Sequence, residues 1–235
     1  MNDDEEFEIY LYISKNKLVI SAFSKQSYIN NLYKNELFLE NSFNIDYNEN
    51  LINFLDNNIY KIEKKINTFI KKINLVIYNN KFLIINLGVK KNLYSKNISY
   101  KEKIKILYNL KSEINKSYTD VKIIHFIIEK CNIDNDEINF NDDNAIGNYF
   151  FLEVKFICMP NNYLDSLERD LNKYLINIDK IVSFDYAKSL FNEKIEDECK
   201  IGMKVLNGFN LKEVFLKSKI QENKGFFYKF FNFFS

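Results

Sequence analysis

A chain of 235 residues with 46% hydrophobic content is long enough to bury a full core, as one domain or one domain carrying an insertion. Its 33 basic and 32 acidic residues nearly cancel, which removes the global electrostatic footprint of a nucleic-acid binder. Cys131, Cys158 and Cys199 are odd in number, widely spaced and without a CxxC pair, so a disulfide framework is not expected. No run approaches the roughly 18 apolar residues of a spanning helix, and Met1–Glu6 is acidic where a secretory leader is basic. The expectation is a cytoplasmic protein.

Phe7–Ile13 and Lys17–Phe23 are β-rich runs joined by Ser14-Lys15-Asn16, and Leu32–Glu40 supplies a third, so the chain opens as an antiparallel meander. Leu51, Leu55, Ile59, Ile62, Ile66, Phe69, Ile70 and Ile73 then recur at three-to-four spacing, which predicts a long amphipathic helix whose lysines face solvent. Strands are expected at Ile73–Tyr78 and Phe82–Val89, separated by Asn79-Asn80. Ser99-Tyr-Lys-Glu102 has the form of a capping box ahead of a helix over about 100–117. Val121–Cys131 and Tyr149–Met159 read as strands around a polar loop or hairpin at Asp134–Asn148. After Pro160, Asn161 or Asn162 can cap a helix carrying Leu164, Leu167, Leu171 and Leu175. Ile178–Phe184 is a last strand and Asp185–Asn192 a short helix. Residues 193–224 read as a charged linker with some helix near Leu211–Leu216. Mixed strands and helices in this order imply a two-layer α/β body.

The last eleven residues, Gly225–Ser235, hold six phenylalanines. Wound as a helix, Phe226, Phe227, Phe230, Phe231, Phe233 and Phe234 fall within about 160° of arc. Such a face needs burial against the body, a partner or a lipid headgroup boundary; the charged approach and the flanking Lys224 and Lys229 favour an anionic membrane surface.

His125 is followed by Glu129 and Cys131, and strand alternation would put all three on one face. No second Cys/His cluster completes a tetrahedral metal site, so a structural histidine is the expectation. Asp134, Asp136, Glu137, Asp142 and Asp143 lack the spacing of a calcium loop and read as a solvated acidic loop. No nucleophile–base constellation or glycine-rich loop is present.

The ordered series His125-Phe-Ile, Ile133-Asp134, Ile146-Gly147, Phe151–Cys158, Tyr163–Leu175 and Ile178–Val182 resembles the first half of FtsA, the actin-like bacterial cell-division protein. The C-terminal Gly225-Phe-Phe…Phe-Phe looks like that family's membrane-targeting helix. The resemblance covers roughly 7–190 and 224–235. It implies a partial actin-like subdomain over 7–80, an inserted β-α-β-β-α-β interaction subdomain over 81–183, a returning helix at 184–192, the linker at 193–224 and the amphipathic helix at 225–235.

The departures alter the expected function. Tyr12 and Ser14 stand where the family's phosphate hairpin has its metal-coordinating Asp and its Gly; Lys17 alone matches. The residues after Asn192 are too few for the adenosine-binding half, which in the family also carries the main docking surface for FtsZ. The resemblance therefore implies a non-enzymatic cell-division scaffold without cofactor or metal. It would contact divisome proteins or itself, reach FtsZ only indirectly, bind no nucleic acid and sit on the inner face of the cytoplasmic membrane. A pilus-assembly adaptor like PilM, which shares the actin-like fold, is the alternative, as is an aromatic helix docked on a protein partner; an unrecognised ATPase is a third.

Overall fold

The computed structural model describes residues 7–39, 49–143, 145–191 and 197–215. Within them β1 (Phe7–Ile13), β2 (Lys17–Ser24) and β3 (Ser27–Phe38) form the expected antiparallel meander. β4 (Lys72–Ile77) pairs in parallel with β1, and β9 (Asn177–Ser183) with β4, giving a five-stranded sheet in the order β3-β2-β1-β4-β9. β1, β2 and β4 are apolar on both faces, the pattern of strands covered on two sides.

One face of this sheet, with Leu11, Ile13, Leu18, Ile20, Leu75 and Ile77, packs on α1 (Glu49–Ile66) and α3 (Asn161–Asn172). The predicted stripe of α1 is buried from Leu51 to Ile66, but the helix ends at Asn67, whose φ of 55° is left-handed. The apolar periodicity beyond it divides: Phe69 is exposed, and Ile73 belongs to β4. At α3 the N-cap is Pro160 without a side-chain bond. Asn161, expected as a cap, instead donates from its backbone N to the Asp120 carbonyl and from Nδ2 to that of Thr119.

Between β4 and β9 the chain builds a second, antiparallel sheet, β5-β8-β6-β7, from β5 (Leu83–Asn97), β6 (Val121–Ile133), the two-residue β7 (Asp136–Glu137) and β8 (Ile146–Pro160). α2 (Tyr100–Ser117) buries Leu107, Leu110 and Ile114 against it, with Phe150, Leu152, Val154 and Phe156 among their partners. The Ser99/Glu102 capping box is formed, and Lys91 with the Ser99 bonds draws the exposed Glu102 carboxyl down to about 2.

The segment read as a linker differs most from expectation. After α4 (Phe184–Ser189), α5 (Glu198–Leu206) packs on the second face of the first sheet: Cys199 and Met203 join Tyr10, Tyr12, Val19, Phe23, Val76 and Phe184. Ile201 and Val205 meet Val182, Tyr186, Ala187 and, from the second sheet, Ile127 and Ile157. The helix expected near Leu211 is absent from Asn210–Phe215. That stretch runs antiparallel to β6, with Ile128 N donating to the Lys212 carbonyl at 2.9 Å and Val214 N to that of Phe126 at 2.7 Å. Among the described residues the fold is mixed α/β, with two sheets and five helices and the first sheet covered on both faces.

A nine-residue helix is marginal alone, so α5 depends on what it buries. Gly202 sets its closest approach: a Cβ there would lie 2.2 Å from Val76 Cγ2. Gly202→Ala should therefore destabilise by about 1–3 kcal/mol and lower Tm. Lys204→Ala, on the exposed side of the same helix, should shift stability by within about 0.5 kcal/mol in the same thermal unfolding measurement.

Candidate functional site

The β1–β2 turn is where the resemblance to FtsA would put a phosphate hairpin, with Tyr12, Ser14 and Lys17 at its positions. Ser14 is buried and closes the turn on itself: its N donates to the Lys17 carbonyl at 3.0 Å, and its Oγ lies 2.9 Å from that carbonyl and 3.0 Å from Asn16 Oδ1. Tyr12 points into the core and meets Phe184 edge-on at 5.0 Å; burial pushes its phenol up to about 12, so it stays a neutral hydroxyl. Neither side chain offers a charge to a ligand.

Lys17 is engaged by carboxylates. Its Nζ stands 3.0 Å from Glu198 Oε1, at the start of α5, and 3.1 Å from Glu36 Oε2 on β3, with the Phe38 ring 5.2 Å away. Burial alone would lower the ammonium's pKa, but the two carboxylates outweigh it and leave it raised. Beside it Asp197 caps α5 through the Lys200 N–H at 3.0 Å, accepts from Asn31 Nδ2 at 3.0 Å and pairs with Lys34 at 2.9 Å. Burial works against this charge too, yet the Asn31, Lys200 and Lys34 partners win and hold the carboxyl below its usual range. The cluster sets Glu36, Asp197 and Glu198 against Lys17 and Lys34 and clamps α5 onto β2 and β3.

A second polar cluster joins the two sheets. Ser183 N donates to His125 Nε2 at 2.9 Å, which leaves Nδ1 to carry the proton of the neutral ring and donate it to Glu213 Oε1 at 2.6 Å. Tyr186 donates to Glu213 Oε2 at 2.9 Å and accepts from Asn210 Nδ2 at 2.9 Å. His125 and Glu213 are almost wholly buried, so this network is a joint between β6, β9, α4 and the closing Asn210–Phe215 stretch. The expected grouping of His125 with Glu129 and Cys131 on one face is not formed. The register shift between Ile128 and Lys130 breaks the alternation between them, so Cys131 faces α2 while His125 faces Tyr186. Among the described residues no group of three or more His, Cys, Asp or Glu could hold a metal ion.

Asp197, Glu198 and Glu213, which hold these two clusters together, are the residues that sequence reading passed over. Asp197-Glu198 ahead of Ile201, Met203 and Val205 is a helix-start signal, masked by surrounding charge. Glu213 carries no local signal. Lys224, Phe226, Phe227, Lys229, Phe230, Phe231, Phe233 and Phe234 lie outside the described residues.

No protein-family model and no curated protein matches the chain. Among solved structures it is similar to a PilM-PilN type IV pilus biogenesis complex, at 10% identity and TM-score 0.49, covering 77% of this chain and 48% of that one. It is also similar to the cytoplasmic domain of EpsL, an inner-membrane component of the type II secretion system of Vibrio cholerae (10%, TM-score 0.36, 81% and 60%). A third likeness is to a Bacteroides thetaiotaomicron protein with an actin-like ATPase fold and unknown function (13%, TM-score 0.28, 80% and 57%). The chain thus spans about half to three-fifths of the length of each.

Because the Asp197 pKa is lowered on folding, its contribution is full above the ordinary carboxylate pKa of about 3.9 and fades as pH falls through the folded value. Asp197→Ala should cost about 1–3 kcal/mol at pH 7, and the gap to the parent chain should narrow below about pH 4 in denaturant titrations. Glu213→Ala strands the His125 Nδ1–H and the Tyr186 hydroxyl and should cost about 2–4 kcal/mol, with amide exchange at Ile128 and Val214 accelerated.

Proposed function

We propose that the protein is a non-enzymatic adaptor of a membrane-associated assembly, held to the inner face of the cytoplasmic membrane by its C-terminal aromatic segment and contacting other proteins through its second sheet. The observation that carries the non-enzymatic part is the engagement of Lys17 by Glu198 and Glu36, with Tyr12 and Ser14 turned inward. The one side chain retained from the resembled phosphate hairpin is used as a structural clamp. The membrane part rests on the six phenylalanines and flanking lysines of 224–235. Among the described residues no helix is long and apolar enough to cross a bilayer.

An adaptor for pilus biogenesis or type II secretion, the settings named for two of the structures it resembles, is put ahead of a cell-division scaffold. The division reading keeps the sequence resemblance to FtsA and the terminal segment as its support. Both share the same base, an anionic lipid surface, and the same class of partner, another protein.

The test is co-sedimentation with anionic liposomes. Full-length protein should pellet, a 1–223 truncation should stay in solution, and binding should weaken with salt. Equal behaviour of the two forms would place the aromatic segment on the body or on a protein. ATP with magnesium should leave Tm unchanged; stabilisation of several degrees would overturn the non-enzymatic reading.

A further inference from the structure

The chain is nearly neutral, yet between Leu83 and Ser117 eight lysines stand against two glutamates. On α2 these lysines are ordered. Lys101, Lys105 and Lys116 fall within about 60° of arc with Tyr108 and Ser112 between them, opposite the Leu107, Leu110 and Ile114 side that packs on the second sheet. All five are exposed. The two glutamates lie off this stripe and are engaged, Glu102 by Lys91 and the helix cap and Glu113 by Lys116 at 3.1 Å. Lys101 and Lys105 form no ion pair among the described residues.

The last described residue also stands beside this helix. Phe215 lines a groove of about 810 Å³ with Ile104 and Leu107, and a smaller one of about 430 Å³ with Lys111. The ten residues between Phe215 and Phe226 span at most about 36 Å, more than the roughly 27 Å length of α2. The aromatic segment can therefore enter a bilayer while α2 lies against it.

We propose that the exposed face of α2, with Lys101, Lys105, Tyr108 and Lys116, is a second membrane contact that takes anionic lipid headgroups and orients the body on the surface. It rests on the membrane-tether reading above and adds to it a defined face. Lysines at an anionic surface each raise partition roughly fivefold, so Lys101 and Lys105 together supply on the order of 25-fold, Lys116 adds less because Glu113 shares its charge, and tyrosine is suited to the headgroup level. The second sheet's opposite face, bearing Ile84, Lys90 and Glu153, is then turned toward the cytoplasm and protein partners.

The experiment uses the full chain. Lys101→Gln/Lys105→Gln/Lys116→Gln is compared with the parent chain on phosphatidylglycerol-containing vesicles and on pure phosphatidylcholine vesicles, with Tm as a folding control. Partition of the triple variant should drop 10- to 100-fold on the anionic vesicles and stay within twofold on the neutral ones. Because the chain contains no tryptophan, Tyr108→Trp supplies a single reporter, whose emission should shift to the blue on the anionic vesicles. Unchanged partition and emission, with full-length protein bound and the 1–223 form not, would overturn the α2 contact alone and leave the stripe to an acidic protein. Failure of the parent chain to bind either vesicle would overturn both the contact and the tether it rests on.

Discussion

A five-stranded sheet with apolar side chains on both faces cannot stand with one face open to water, and that requirement governs the rest of this molecule. Leu11, Ile13 and Ile20 are served by α1 and α3, but Tyr10, Tyr12, Val19, Phe23 and Val76 on the other side need a separate cover. The chain supplies it from α5, which is too short to persist without the sheet. Sheet and helix are mutually dependent, and Gly202 lets them approach closely enough to exclude water.

The same dependence accounts for the fate of the β1–β2 turn. Here α5 brings Glu198 to Lys17 and Asp197 to Lys34 and Asn31, so the charges beside the turn secure the cover. Partly buried charge-assisted bonds of this kind are stronger than surface pairs.

The joint between the sheets follows a similar economy. His125, Glu213, Tyr186 and the Ser183 N–H satisfy one another in a site with almost no water access, where any unmatched member would be costly. The pairing of Lys212 and Val214 with β6 delivers Glu213 to that site. The joint between the sheets and the seating of Asn210–Phe215 on β6 thus share one buried carboxylate.

Much of the architecture was legible along the chain because it rests on local physics. The β-rich run of Phe7–Ile13, the stripe from Leu51 to Ile66, and the Ser99/Glu102 box each encode an element through residues within a few positions of one another. The inward turn of Tyr12, the flipping of Cys131 away from His125 by one bulge, and the conversion of a charged linker into a core helix could not be read that way. Each is decided by partners remote in sequence: Phe184 for Tyr12, β8 for the bulge, and Val76 with Lys17 for α5. The sequence by itself determined the strands and helices whose signal is local, and it put Lys17 at the close of the β1–β2 turn. Only the tertiary structure decided what became of its lysine, because an ion pair between residues 17 and 198 forms only after the whole fold has brought them together.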